Sequence, residues 1–165
     1  MSWTEGADGG FVPSPELVAA LFVLGGAPLE RVPWWATHWL VIGHDGQVLR
    51  DLAGRDDTDV AAVAELLPAA LAEMSVALPA TATAAAALVF HHLARQCLSA
   101  GAGERWVVRR VDEVVTHAGR SPEVLGLPLG HLSGIDDAWW GGSGPPVADL
   151  RAAVRAACAV QLAQR

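Results

Sequence analysis

Histidine and aspartate are the residues of this chain whose chemistry and spacing best fit catalysis or metal binding. His91 and His92 are adjacent on a predicted helix, and His131 lies shortly before the pair Asp136 and Asp137. Imidazole and carboxylate groups that converge in one pocket can move protons or activate a metal-bound water. The sequence contains no HExxH, His-x-His or paired CxxC pattern, the spacings typical of metal sites. We therefore predict no metal or cofactor. An alternative interpretation is that these five residues belong to a small enzyme with an acid–base or metal-assisted site.

Tryptophan is the most unusual residue type, with seven copies in 165 residues. Two pairs of adjacent tryptophans fall in segments predicted to be loops, where at least one ring of each pair is expected to be partly exposed. Large rings with one N–H donor anchor partners at protein interfaces, and acidic residues beside them can accept an arginine. The predicted binding residues are Trp34, Trp35, Trp139, Trp140, Asp136 and Asp137. The competing interpretation is structural, because a domain with three Phe and no Tyr needs tryptophan for bulk.

Missing residue types exclude several kinds of chemistry. The chain has no Lys, Asn or Tyr, so it cannot form a lysine Schiff base, place a P-loop lysine on a phosphate or use a phenol as an acid. Ser143 is not part of a GxSxG nucleophile motif, because Pro145 stands where the second glycine is required. Cys97 and Cys158 lie in apolar, helix-like stretches and are expected to be buried free thiols. Whether the protein is an enzyme stays open on this basis.

The charge balance points away from nucleic acid. The chain has eleven arginines and eighteen acidic residues, which gives a net charge of −7. Binding to duplex nucleic acid requires clustered cations, and the best cluster is Arg105, Arg109 and Arg110. The spacing of Arg109 and Glu113 also suits an ion pair along a helix. The expected partner is therefore another protein, and self-association is left open.

The sequence also points away from a membrane. The N-terminal residues have no basic region followed by an apolar run, so no signal peptide is expected. The uncharged stretch 74–94 is rich in alanine and contains Pro79, which makes it too weakly apolar to drive insertion. We expect a cytoplasmic protein, and the missing Lys and Asn are typical of a high-GC bacterial genome.

One segment predicts β-structure. Residues 37–43 are rich in strand-forming side chains, Asp45-Gly46 matches a two-residue type I′ turn, and residues 48–53 provide a return strand. A hairpin over about 37–53 is marginal alone, so it is expected to pack on helices.

Helix signals cover most of the remaining chain. Ser14-Pro15-Glu16 and Ser121-Pro122-Glu123 each combine a capping serine with proline and an acid in the first turn. Five segments are predicted to be helical: the first is apolar on every side, and in the other four apolar residues recur at three- and four-residue steps. These segments are 15–24, 56–74, 81–99, 104–117 and 146–164. Pro68 kinks the second or divides it in two, and 104–117 has an edge strand as its alternative.

The predicted fold is α+β and mainly helical, with five or six helices packed against one β-hairpin. Residues 1–13 are a loose lead-in and residues 14–165 form a single domain. The favoured function is a small accessory or immunity-type module that binds a protein partner through its tryptophan-bearing loops.

Overall fold

A computed structural model describes residues 11–139 and 144–164 of the chain. Within these ranges the structure contains eight α-helices and three short 3-10 helices. The α-helices are α1 (Pro15–Val23), α2 (Val32–Val41), α3 (Gln47–Ala53), α4 (Val60–Glu73), α5 (Ala82–Leu98), α6 (Glu104–His117), α7 (Pro122–Leu125) and α8 (Val147–Ala163). The 3-10 helices are Leu29–Arg31, Gly130–Leu132 and Ile135–Trp139.

The chain divides into two compact units, residues 1–80 and 81–165. The first unit contains α1 to α4. Its core is formed by side chains from all four helices, including Val18, Trp35, Leu49 and Leu67. The indole N–H of Trp39 donates a hydrogen bond to the carbonyl of Pro13 at 3.1 Å, so this end of the predicted lead-in is fixed to α2.

The second unit contains α5 to α8. Helix α5 packs mainly on α8 and α6, and its buried face includes Ala86, Phe90, Leu93 and Cys97. The small side chains on this face allow neighbouring helices to approach closely. On α8 the buried face includes Leu150, Val154, Cys158 and Gln161. Helical spacing predicts that Val147 and Leu162 belong to this face, but the structure exposes Val147, buries Gln161 and leaves Leu162 half-buried.

The capping signals of Ser14 and Ser121 are confirmed, and of the two candidate caps for α5, Thr81 and Thr83, the structure uses Thr81. The hydroxyls of Ser14, Thr81 and Ser121 accept hydrogen bonds from the amides of Leu17, Ala84 and Val124 at 3.1–3.3 Å. Each satisfies one of the free N–H groups that a helix start leaves without a partner. The helix predicted for 104–117 is also confirmed as α6. Pro68 lies inside α4, which runs continuously from Val60 to Glu73.

The predicted β-hairpin over residues 37–53 is wrong, because the described residues contain no strand. Residues 37–41 belong to α2 and residues 47–53 form α3. These two helices, together with short α7, also raise the number of α-helices above the five or six expected. In α2 the side chains of Val32, Trp35, Ala36 and Trp39 recur at helical spacing, and all four are buried. Burial of one helical face therefore outweighs the strand propensity of the individual residues.

The expected Asp45-Gly46 turn is replaced by a helix start. A type I′ turn needs a left-handed conformation at both central residues. Gly46 is instead extended, with φ of 164°, and precedes the first turn of α3. The Glu73 carboxylate, at the end of α4, accepts the amides of Val48 at 3.1 Å and Leu49 at 2.9 Å. A group 25 positions away in the sequence thus caps this helix.

None of the described helices is both long and apolar enough to cross a membrane.

Candidate functional site

The outer face of α2 carries an unusual row of exposed side chains. Trp34, His38 and Val41 are spaced at four and three residues and so lie on one face of the helix, and Ile42 follows directly. The exposed fraction is 47% for Trp34, 78% for Val41 and 61% for Ile42. We call Trp34, His38, Val41 and Ile42 the α2 stripe.

The two faces of α2 explain why the adjacent tryptophans differ. Successive helical residues are rotated by about 100°, so Trp34 and Trp35 cannot both face the core. Trp35 is completely buried and belongs to the core of the first unit, whereas Trp34 projects outward. Both lie inside a helix and not in the expected loop. Of this predicted pair, only Trp34 has a surface that a partner can contact.

Aromatic and cationic groups hold the exposed ring of Trp34. The imidazole of His38 lies one turn further along, with ring centroids 6.5 Å apart and planes tilted by 33°. The guanidinium of Arg31 lies 5.9 Å from the Trp34 ring centroid, within the range of a cation–π interaction. A ring held on two sides loses less rotamer entropy on binding, which favours its use as an anchor.

The surface of the first unit is strongly acidic. Residues 1–80 contain eleven carboxylates and three arginines, which gives a net charge of −8. Residues 81–165 contain seven carboxylates and eight arginines, which gives a net charge of +1. Every described carboxylate of the first unit is exposed. The chain's net negative charge therefore comes entirely from the unit that carries the α2 stripe.

The second predicted binding group lies in the second unit and is arranged differently. Trp139 is half-buried at the end of the 3-10 helix Ile135–Trp139, and Trp140 lies outside the described residues. Asp136 accepts a hydrogen bond from Nε of Arg105 at 2.9 Å and pairs with Nε of Arg109 at 3.5 Å. Its negative charge is thus already compensated by two arginines of α6. Asp137 is exposed.

The histidines of the alternative catalytic site occupy separate positions in the second unit. His91 and His92 are half-buried on α5, and His131 is exposed in the 3-10 helix Gly130–Leu132. Burial and the nearby Arg95 lower the pKa of His92 below its ordinary value of 6.5. Across residues 11–139 and 144–164, no three His, Cys, Asp or Glu side chains are grouped in a way that could hold a metal ion.

The arginine cluster of α6 makes contacts inside the protein. Glu113 pairs with Arg110, where the sequence suggested Arg109, and the Nη1–Oε2 distance is 2.7 Å. Arg110 is buried and also lies 5.5 Å from the ring centroid of Trp106. Burial raises the pKa of the Glu113 carboxyl, and the charge of Arg110 opposes this shift. These arginines thus serve to hold the second unit together.

Sequence reasoning missed Val41 and Ile42, which it assigned to a strand. The signal that could have identified them is the step from Trp34 to His38 and Val41, which places all three on one helical face. Comparison with family models, with curated proteins and with solved structures finds no match to this chain.

Proposed function

We propose that this protein is a small interaction module that binds another protein through the α2 stripe. The observation that carries the proposal is the exposure of Trp34, Val41 and Ile42 on one side of a helix whose opposite side is core. Contiguous exposed apolar groups on a small protein commonly mark an interaction site. The proposal moves the binding role from two tryptophan-bearing loops to one helix face.

Trp34 is the expected anchor of this interface. Tryptophan is enriched among the few interface residues that dominate binding energy, and such residues lie within a ring of weaker apolar contacts. His38, Val41 and Ile42 are placed to form part of that ring on one side. A partner groove that accepts an amphipathic helix face would contact the same spacing of residues.

The charge of the first unit indicates the chemistry of the partner. Its nine described carboxylates are all exposed, whereas only Arg31, Arg50 and Arg55 provide positive charge. Complementary charges around an interface speed association and disfavour partners of like charge. We therefore expect an apolar contact surface rimmed by Lys or Arg, and association that slows as salt is added.

The alternative function, a small enzyme with a His/Asp acid–base or metal-assisted site, has weaker support. It requires histidine and carboxylate groups to converge, and Asp136 is engaged instead by Arg105 and Arg109. The two buried free cysteines are compatible with the cytoplasm as the compartment, because thiols persist where the redox environment is reducing.

Site-specific cross-linking tests the proposed surface directly. A photoreactive residue replaces Val41 in one protein and Leu88 in another, since Leu88 is also a large exposed apolar residue but lies on α5. Irradiation in an extract of the host cell is expected to link a distinct protein at position 41 and not at position 88. Equal products at both positions, or none at position 41, would contradict the proposal. A product consisting of two copies of this chain would show instead that the α2 stripe is a self-association surface.

The purified partner then allows a quantitative test. Trp34→Ala is expected to raise Kd at least tenfold, because loss of a buried interface tryptophan costs roughly 2 kcal/mol or more. Leu88→Ala is the matched control and is expected to leave Kd unchanged. Thermal unfolding of both variants distinguishes loss of contact from loss of fold. An unchanged Kd for folded Trp34→Ala would overturn the assignment of this stripe.

A further inference from the structure

The two cysteines of the chain meet in the core of the second unit. Cys97 lies near the end of α5 and Cys158 in the last third of α8, and both are free and almost completely buried. The two side chains are close enough to interact: besides the larger effect of burial, each thiol shifts the pKa of the other. Helices α5 and α8 have the most extensive mutual packing in this unit. The only two thiols of the sequence therefore face each other across its main helix pair.

Neighbouring groups tie the same region together. Arg155, one turn before Cys158 on α8, donates from Nη1 to the carbonyl of Cys97 at 3.4 Å. The same Nη1 lies 3.4 Å from Oε1 of Glu104, at the start of α6. Both cysteines are thus positioned by contacts that connect three helices. A buried free cysteine packs as a small apolar residue, and a neighbouring pair of thiols adds the capability for redox chemistry.

We propose that Cys97 and Cys158 form a redox pair that closes into an intramolecular disulfide when a small disulfide oxidant, such as glutathione disulfide, reaches them. The bond would join α5 to α8 and close a loop of about 60 residues. The site is a modification site independent of the α2 stripe, and its failure would leave the proposed function untouched.

The reaction proceeds by two thiol–disulfide exchanges. Cys97 loses its proton and attacks one sulfur of glutathione disulfide, which forms a mixed disulfide and releases one glutathione thiolate that takes up a proton. Cys158 then loses its proton and attacks the Cys97 sulfur, which forms the protein disulfide and releases the second glutathione. Two protein thiols are oxidised by two electrons in all, and one glutathione disulfide is reduced to two glutathione thiols.

Burial controls the order and the rate of these steps. It raises the pKa of both thiols, that of Cys158 to about 12, so little thiolate exists while the helices are closed. Beside this effect of burial, Cys158 lowers the pKa of Cys97 whereas Cys97 raises that of Cys158, so Cys97 is the better first nucleophile. We expect slow oxidation of the native protein and faster oxidation in urea below the unfolding transition, where α5 and α8 open more often.

Mass spectrometry of the whole chain provides the test. Wild-type protein treated with glutathione disulfide is expected to lose the mass of two hydrogen atoms and to yield a cross-linked peptide pair containing Cys97 and Cys158. After removal of the oxidant, its Tm is expected to be about 10 °C higher than that of the reduced protein, because the bond constrains the unfolded chain. A phosphine reductant should reverse both changes.

The proposal would be overturned by two glutathione adducts per chain, by disulfide-linked dimers or by a disulfide that lowers the Tm. Unreacted thiols after prolonged exposure, with and without urea, would overturn it as well. The variants Cys97→Ala and Cys158→Ala should each show no oxidant-dependent rise in Tm. If either variant does not fold, the peptide mapping and the Tm of the wild-type protein still decide the question.

Discussion

Glu73 occupies a position that its local preference disfavours. It ends α4, where the helix dipole disfavours a carboxylate. Its oxygens instead accept the amides of Val48 and Leu49, two free donors of the first turn of α3. The cost at one helix end is thus offset at the start of another helix.

Removing this carboxylate should destabilise the first unit. We expect Glu73→Ala to lower the free energy of unfolding by about 1–2 kcal/mol, the usual cost of losing a helix cap. Urea unfolding monitored by circular dichroism measures the change. The matched control is Glu65→Ala, an exposed carboxylate of the same helix, which should alter stability by less than about 0.5 kcal/mol. Equal effects of the two changes would show that the cap contributes nothing.

His92 should make stability depend on pH. Its folded-state pKa is lowered from 6.5, by burial first and Arg95 second, so the unfolded chain binds this proton more readily. The free energy of unfolding therefore falls as the pH drops below about 6.5 towards the folded-state pKa. Glu113 acts in the opposite direction, since its raised pKa favours the folded state at low pH. The contribution of His92 must therefore be isolated by a variant.

The comparison is wild type against His92→Gln, each unfolded in urea at pH 7.5 and pH 5.5. We expect the wild type to lose more stability between these two pH values than the variant does. Because both proteins retain Glu113, its opposing contribution cancels in the difference. The same loss in both proteins would contradict the assignment to His92.

Sequence reasoning succeeds for residues where the determining contacts are local. Ser14 and Ser121 are predictable as caps, and Thr81 or Thr83 as a third, because a cap bonds an amide only three residues away. The role of Glu73 could not be predicted, because its partners are 24 and 25 positions distant. The same distinction separates Trp34 from Trp35. Their adjacency implied that one ring faces outward, but which one depends on the packing of the first unit.

Among the elements, α3 shows how a tertiary contact decides between two local structures. The sequence predicts a return strand over residues 48–53 after Asp45-Gly46, but residues 47–53 form a helix. The Glu73 carboxylate favours the helix because it satisfies amides that a helix start leaves free. Leu49 and Leu52, both fully buried, then place their side chains in the core of the first unit. Without α4 in place, the sequence of this element does not specify its structure.

Gly46 leaves room for the same contact at the start of α3. A Cβ at this position would collide with the Glu73 carboxylate, so Gly46→Ala should displace the carboxylate and weaken the cap. A double-mutant cycle tests this. We expect Gly46→Ala to be destabilising in the wild type and to cost at least about 0.5 kcal/mol less when Glu73 is already alanine. Strictly additive effects would show that Gly46 serves a purpose other than admitting Glu73.

Gln161 of α8 connects that helix to Leu129, the residue directly before the 3-10 helix Gly130–Leu132. Its Oε1 accepts the amide of Leu129 at 3.3 Å, and both residues are buried. Gln161→Leu should lower the free energy of unfolding by about 1–3 kcal/mol, because the buried Leu129 N–H loses its partner. Gln164→Leu, at an exposed position one turn later, is the control. Equal stability of the two variants in thermal unfolding would contradict this role.

At the scale of the whole molecule, the chain separates charge as well as structure. The first unit carries −8 and the second +1, although both have similar lengths. The first unit carries both this negative charge and the α2 stripe. In the second unit Arg110 is buried, and the charge of Asp136 is compensated by Arg105 and Arg109. The proposed binding role and the proposed redox pair therefore belong to different units.

Each unit has its own buried core, which leads to a prediction about folding. The first unit buries Trp35, Trp39 and Leu67 among its own helices, and the second buries Phe90, Leu93 and Val111. We expect fragments 1–80 and 81–165, expressed separately, each to be helical by circular dichroism and to unfold cooperatively in urea. Their stability should be low, because a chain this short buries only about 60–65% of its unfolded surface. The m-value of each fragment should be about half that of the full chain if the full chain unfolds in one step.

The opposite outcome is equally specific. If residues 14–165 form a single cooperative domain, as the sequence suggests, both fragments should be largely unfolded alone and regain helix only when mixed.

If fragment 1–80 folds alone, it also tests whether the α2 stripe is sufficient for binding. A folded fragment should bind the partner with the Kd of the whole chain, because Trp34, His38, Val41 and Ile42 all lie within it. A folded fragment that binds at least tenfold more weakly would show that the interface extends beyond residue 80.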